Sequence, residues 1–228
     1  MSALKVLAAL LTYPGEELQA ALPEIATALA AERRLPVPLR ASLARLIEEM
    51  QATDLLDLQE RYVGLFDRNP SLSLHLFEHV HGDSRDRGMA MVHLVDMYRR
   101  QGLEIEAREL PDYLPLFLEF LSLLPEEEAG PLLADAGPVL ATIGARLTRR
   151  GSAYAAVFEG LGALSGSDTP AADDGKADDT DSLAALDRAW EEAAVTFGPE
   201  TMAESRSSCD RVAAMVARMS APRGGSPS

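Results

Sequence analysis

Apolar residues recur at helical spacing along most of this chain, and that recurrence limits the fold more than any other feature. Leu18, Leu22, Ile25 and Leu29 step by four, three and four, and Leu39, Leu43, Leu46, Ile47 and Met50 repeat the pattern. On a helix each set forms one face, and each face needs a neighbour to cover it. Pro14-Gly15 and Pro36-Val37-Pro38 punctuate these stretches. Thr53 is placed to cap a third amphipathic helix carrying Leu55, Leu58, Tyr62, Val63 and Phe66, which Asp67-Arg68-Asn69-Pro70 closes. A short helix is expected through Leu74, Phe77 and Val80 before Gly82. A longer one then starts near Asp83, turns Met89, Val92, Val95 and Met97 inward and ends on Gly102. Glu109 to Pro115 reads as a proline-bearing elbow into an apolar helix reaching Leu124, and helices over 126–149 and 152–164 complete the body. No stretch alternates as a strand would. The expected fold is all-α, a single-domain helical bundle over residues 1–165.

Beyond that body the composition changes. Residues 166–181 hold six aspartates, one lysine and no large apolar side chain, the signature of a flexible acidic linker. In 182–228, Leu183, Leu186, Trp190 and Phe197 suit a C-terminal amphipathic helix that docks back or binds elsewhere. Met202 to Met219 allows a further helix, and the Arg-Gly-Gly-Ser-Pro-Ser end reads as disordered. The formal net charge of −15 argues against nucleic acid as a partner, because that affinity comes from Lys and Arg displacing counterions. It favours cationic partners instead. Cys209 is the only cysteine, so no intrachain disulfide can form and the cytoplasm is the expected compartment. The run Val6 to Leu11 lacks a signal-peptide cleavage site, and the apolar segment Tyr113 to Leu124 is shorter than the roughly 20 residues that span a bilayer, so no membrane insertion is expected.

All four histidines, His75, His79, His81 and His93, fall within one short stretch, which marks a candidate functional site. Metal binding is one reading: His75 and His79 share a face if that stretch is helical, and His81 with Glu78 would add ligands. Against it, no cysteine lies near and no His-Glu-x-x-His run is present, so capping and hydrogen bonding are the commoner roles for such residues. His93, beside Met89 and Leu94, reads as buried or groove-facing. Cys209 lies far from any histidine and Ser84 sits in no nucleophile elbow. Asp83 with Asp86, and Glu126 to Glu128, read as helix-start charges. The sequence points away from an enzyme, with no catalytic residue and no cofactor of its own.

Two strings carry a resemblance. Tyr62-Val63-Gly64-Leu65-Phe66-Asp67-Arg68 followed by Leu72-Ser73-Leu74-His75-Leu76-Phe77-Glu78-His79-Val80-His81-Gly82-Asp83-Ser84-Arg85-Asp86-Arg87-Gly88 closely resembles the NarJ-type assembly chaperones of respiratory nitrate reductase. Glu109-Leu110-Pro111-Asp112-Tyr113-Leu114-Pro115 is similar to the hinge signature of the wider TorD-like redox-enzyme maturation chaperones. The resemblance covers about residues 1–165. It implies an all-helical cytoplasmic chaperone that binds the N-terminal segment of the nitrate reductase catalytic (alpha) subunit. Such a chaperone holds its client while molybdenum cofactor and iron-sulfur centres are installed, and delays membrane docking until then. It also admits contact with the molybdenum cofactor insertion machinery.

The residues fit such a role. A client segment apolar on one face and basic on the other would lie in a groove walled by Tyr62, Phe66, Phe77, Tyr113 and Phe117, within the stretch that includes His81. Glu78, Glu109 and Asp112 would form an acidic rim that steers it. Arg85 and Arg87 would brace those carboxylates or bind a backbone carbonyl. The crevice is expected between the histidine-rich stretch and the proline elbow. The competing roles are equally concrete: the aromatics as core, Glu109 and Asp112 as helix caps, the arginines as helix-start ion pairs. A regulatory adaptor acting through the tail helix near Trp190 is a third reading.

Overall fold

The computed structural model describes residues 2–81, 85–105 and 109–166. The expected linker and tail helix, over 166–181 and 182–228, lie outside the described residues except for Gly166. Among the described residues the regular structure is helical, with no strand.

Helix α1 (Ala3–Leu10) is capped by Ser2, whose hydroxyl accepts from the Lys5 N–H. It buries Leu4, Val6, Leu7, Ala8 and Leu10, so it is apolar nearly all round and runs through the middle of the body. Helices α2 (Glu16–Ala31) and α3 (Val37–Ala52) pack as an antiparallel pair and bury the two stripes read from the sequence, except for Leu18, which is only half-buried. Helix α4 (Leu55–Tyr62) starts on Asp54, not on Thr53: the Asp54 carboxylate accepts from the Leu56 N–H at 2.9 Å. Thr53 ends α3 instead, donating both its N–H and its hydroxyl to the Glu49 carbonyl. The helix continues as a single π turn over Val63–Asp67, closed by the Arg68 N–H on the Val63 carbonyl.

Of the short helix expected through Leu74, Phe77 and Val80 before Gly82, only the end around Val80 forms. A 3-10 turn (Pro70–Leu72) precedes extended chain, and α5 occupies only Glu78–His81. His75 pairs as an isolated antiparallel bridge with Tyr113, so His75 and His79 do not share a helix face. Helix α6 (Arg85–Arg100) turns Ala90, Leu94 and Tyr98 inward, whereas Met89 and Val92, expected inside, are 60% and 56% exposed. His93 is exposed too. Gly102 ends the helix as expected, with φ at +77° and its N–H on Arg99.

Helix α7 (Leu114–Leu123) packs along α1. Helix α8 (Glu126–Arg149) begins with three glutamates, which its N-terminal dipole favours, and packs along α9 (Ala155–Ser165). That crossing is close: a Cβ on Gly144 would lie 3.0 Å from the Phe158 Cβ. No described helix is long and apolar enough to cross a membrane.

Candidate peptide groove and the elbow behind it

The elbow is fixed to the histidine-rich stretch by backbone pairing. The Leu76 N–H donates to the Asp112 carbonyl at 3.0 Å, and the Leu114 N–H donates to the Leu74 carbonyl at 2.8 Å. Asp112, with no solvent exposure, completes the joint. Its carboxylate accepts from the buried Phe77 N–H at 3.1 Å and from His75 Nδ1 at 3.3 Å, with the Arg87 guanidinium 3.8 Å away. Arg87 also reaches Glu78 at 3.1 Å, bracing carboxylates as the sequence suggested. The bond to Asp112 holds the His75 pKa above its ordinary value. Burial holds His79 below its own, and His79 Nε2 donates to the Ser73 carbonyl at 2.7 Å. These two histidines thus hold loops together, and no group of three acid, His or Cys side chains among the described residues is placed to hold a metal.

The crevice expected between these two segments is therefore closed. A groove of about 920 Å³ opens on the other side of the elbow instead, between α1, the turn into α2 and the start of α7. Ala8, Ala9, Tyr13, Leu18, Tyr113 and Leu116 supply its apolar surface. Glu16, Glu17, Glu109 and Glu119 stand around it against one cation, Lys5, which lies 3.9 Å from Glu119.

Of the residues expected to line a peptide site, Glu109 and Tyr113 do line this groove. Tyr62, Phe66, Phe77 and Phe117 do not: each is at most 4% exposed and belongs to the core. Helical spacing cannot separate a core aromatic from a groove aromatic, because both lie on the inward face. Asp112 is interior and not a rim charge, and the charge of Glu78 is met by Arg87. The side chains of His81 and Arg85 lie outside the described residues. Tyr62 still serves the groove from behind. Its hydroxyl donates to the Leu11 carbonyl at 2.8 Å and lies 3.0 Å from the Tyr113 hydroxyl, so it ties the end of α1 to the groove wall. Its ring stands edge-on to Tyr13, and Phe66 packs behind it. Burial raises the pKa of both tyrosines, which keeps the hydroxyl pair neutral.

Tyr13, Glu16, Glu17, Leu116 and Glu119 were missed by sequence reasoning. The signal was the turn Thr12-Tyr13-Pro14-Gly15-Glu16-Glu17, an aromatic beside a break and two acids, where Tyr13 is left 50% exposed.

Fold and groove together define a class: all-helical proteins carrying a concavity that is apolar inside and acidic around its edge. Within it, the chain belongs to the nitrate reductase delta subunit family, whose model matches residues 14–159. It is 43% identical to the nitrate reductase molybdenum cofactor assembly chaperone NarJ of Escherichia coli K12, over 86% of this chain and 85% of that one. A probable chaperone of the same kind from that organism, NarW, is 40% identical over 92% of this chain and 88% of its own. The probable NarJ chaperone of Bacillus subtilis is 30% identical over 68% and 83%. A match covering 92% of the chain cannot stop at residue 165, so the likeness extends past the body to which the sequence motifs confined it.

Proposed function

We propose that this chain is a cytoplasmic assembly chaperone for a respiratory nitrate reductase, not an enzyme, and that it holds the N-terminal segment of the catalytic (alpha) subunit in the acid-edged groove. Molybdenum cofactor and iron-sulfur centres would be installed in the held client before it docks at the membrane. The observation that carries this reading is the groove itself, four carboxylates and one lysine around an apolar floor, in a chain 43% identical to a named assembly chaperone. A cationic amphipathic segment is its chemical complement. Its apolar face would cover Tyr13, Tyr113 and Leu116, and its basic face would meet the glutamates. Each well-buried apolar anchor contributes on the order of 1.5 to 3 kcal/mol, so a few anchors, less the cost of association, reach micromolar affinity.

The test is a titration of the full chain into a fluorescent peptide copied from the alpha subunit N-terminus. Glu16→Lys with Glu109→Lys should weaken capture by roughly tenfold or more, equivalent to about 1.4 kcal/mol. Both positions are exposed, so the melting temperature should hardly move. Equal affinity in wild type and variant would overturn the assignment of the groove.

A further inference from the structure

Building on that reading of the groove, we propose that residues 206–223 of this same chain are its resident occupant, a tethered mimic of the client that must be displaced before a client is held.

Charge selects this segment. Arg206, Arg211, Arg218 and Arg223 face a single acid, Asp210, inside a chain whose net charge is −15. The groove has the opposite balance. The other stretches beyond the body carry the wrong sign. Residues 166–181 hold six aspartates and one lysine, and the region around Trp190 sets Asp187, Glu191 and Glu192 against Arg188.

Pattern selects it again. Val212, Met215, Val216 and Met219 fall at the i, i+3, i+4, i+7 spacing of one helix face, and Arg211 and Arg218, seven apart, fall along the edge of that face. This is the chemistry the groove complements: an apolar stripe flanked by cations. The two methionines add unbranched, adaptable side chains that fill an irregular floor.

The tether permits the contact. Helix α9 packs against α1, the helix that forms one wall of the groove, so the chain leaves the body from an element adjoining that wall. Were all of the forty or so residues up to position 206 random coil, their root-mean-square reach would be about 35 Å. That is comparable to the length of α8, whose 24 residues run about 36 Å. Tethering at such a distance gives an effective concentration near millimolar, so even a weak intramolecular fit fills the groove for much of the time. A client then binds with an affinity reduced by the fraction of grooves already filled, and weak clients are refused.

Cys209 lies within the segment and is the only cysteine of the chain, which supplies the test. A photoreactive benzophenone maleimide on Cys209 of the full chain, irradiated and mapped by mass spectrometry, should form adducts with peptides containing residues 8–18 and 109–119. Arg211→Glu with Arg218→Glu should cut those adducts by roughly fivefold and tighten capture of the alpha-subunit peptide by a similar factor. Adducts scattered over the surface, adducts joining two copies, or adducts and capture unchanged by the charge reversal would each overturn the inference. Its failure is distinct from failure of the groove reading. If adducts lie elsewhere while Glu16→Lys with Glu109→Lys still weakens capture, the groove stands and the tethered occupant falls. If those groove variants capture normally while Cys209 adducts map to the groove, the client assignment falls alone.

Discussion

Asp112 is wholly interior, and every group around its carboxylate donates a hydrogen bond or carries positive charge: the Phe77 N–H, His75 and the Arg87 guanidinium. Asp112→Ala would orphan a buried N–H and leave a partly buried cation without one of its acids, a loss of about 2 to 3 kcal/mol. Urea denaturation should show that loss, and peptide capture by the protein still folded should change little. The joint is also sensitive to pH. His75 has its pKa raised above 6.5 by Asp112, so its contribution to stability is full below that value and disappears as pH rises through its folded value. His79, lowered by burial, acts in the opposite sense: its contribution is full above 6.5 and lost as pH falls through its folded value. His75→Gln should therefore destabilise most in mild acid and least above neutral, as read by denaturant midpoints across that range. The sequence offered Arg87 as a brace for Asp112 but paired neither with His75 or with the Phe77 N–H. Asp112 and Phe77 stand 35 residues apart, and no local pattern reports a contact across that separation.

At the scale of helices, legibility followed the number of apolar arcs. In α2 and α3 one stripe stands alone, and the residues expected inside, from Leu22 to Met50, are buried. Helix α6 carries two arcs, one with Met89, Val92 and Val95 and another with Ala90, Leu94 and Tyr98. Periodicity scores both. The second is buried because Tyr98 donates its hydroxyl to the Pro111 carbonyl and sets its ring 4.7 Å from that of Phe120, partners supplied by distant sequence. The histidine-rich stretch misled for a related reason: its helical spacing lost to backbone pairing with the elbow, a tertiary effect that overrides local preference. The α8 and α9 pair gives a sharp contrast between two glycines on one helix. Gly144→Ala should destabilise by about 1 kcal/mol or more, because the added methyl meets the Phe158 Cβ, which cannot rotate aside in a packed helix. Gly130→Ala, with nothing within 4 Å, should stabilise by up to about 1 kcal/mol through helix propensity alone. Thermal melts of the two variants, moving in opposite directions, check the packing at that crossing.

For the molecule as a whole, fold class was readable and the groove was not. An all-helical body follows from repeated stripes that each need cover, whereas the groove is assembled from the first two helices and the elbow, about a hundred residues apart. Net charge did not say where the acids gather. The chain's −15 indicated a cationic partner, yet of the rim acids chosen from sequence only Glu109 stands at the groove. If those glutamates draw the client in, raising salt toward 1 M, where the screening length shrinks to about 3 Å, should slow association much more than it speeds release. Stopped-flow mixing with the alpha-subunit peptide measures both rates. An on-rate indifferent to salt would remove electrostatic steering from the account.

The hydroxyl pair of Tyr62 and Tyr113 has a mechanical consequence. Tyr62 is anchored on the last turn of α1 and backed by Phe66, while Tyr113 stands in the strand-like bridge that carries His75 on its far side. A guest pressing on the Tyr113 ring thus pushes against a rigid strut on one side and a two-bond clasp on the other. Were a guest to load the front of the protein, the push would pass through Tyr113 to the bridge with His75, and a partner touching the histidine loop could sense whether the cradle is full.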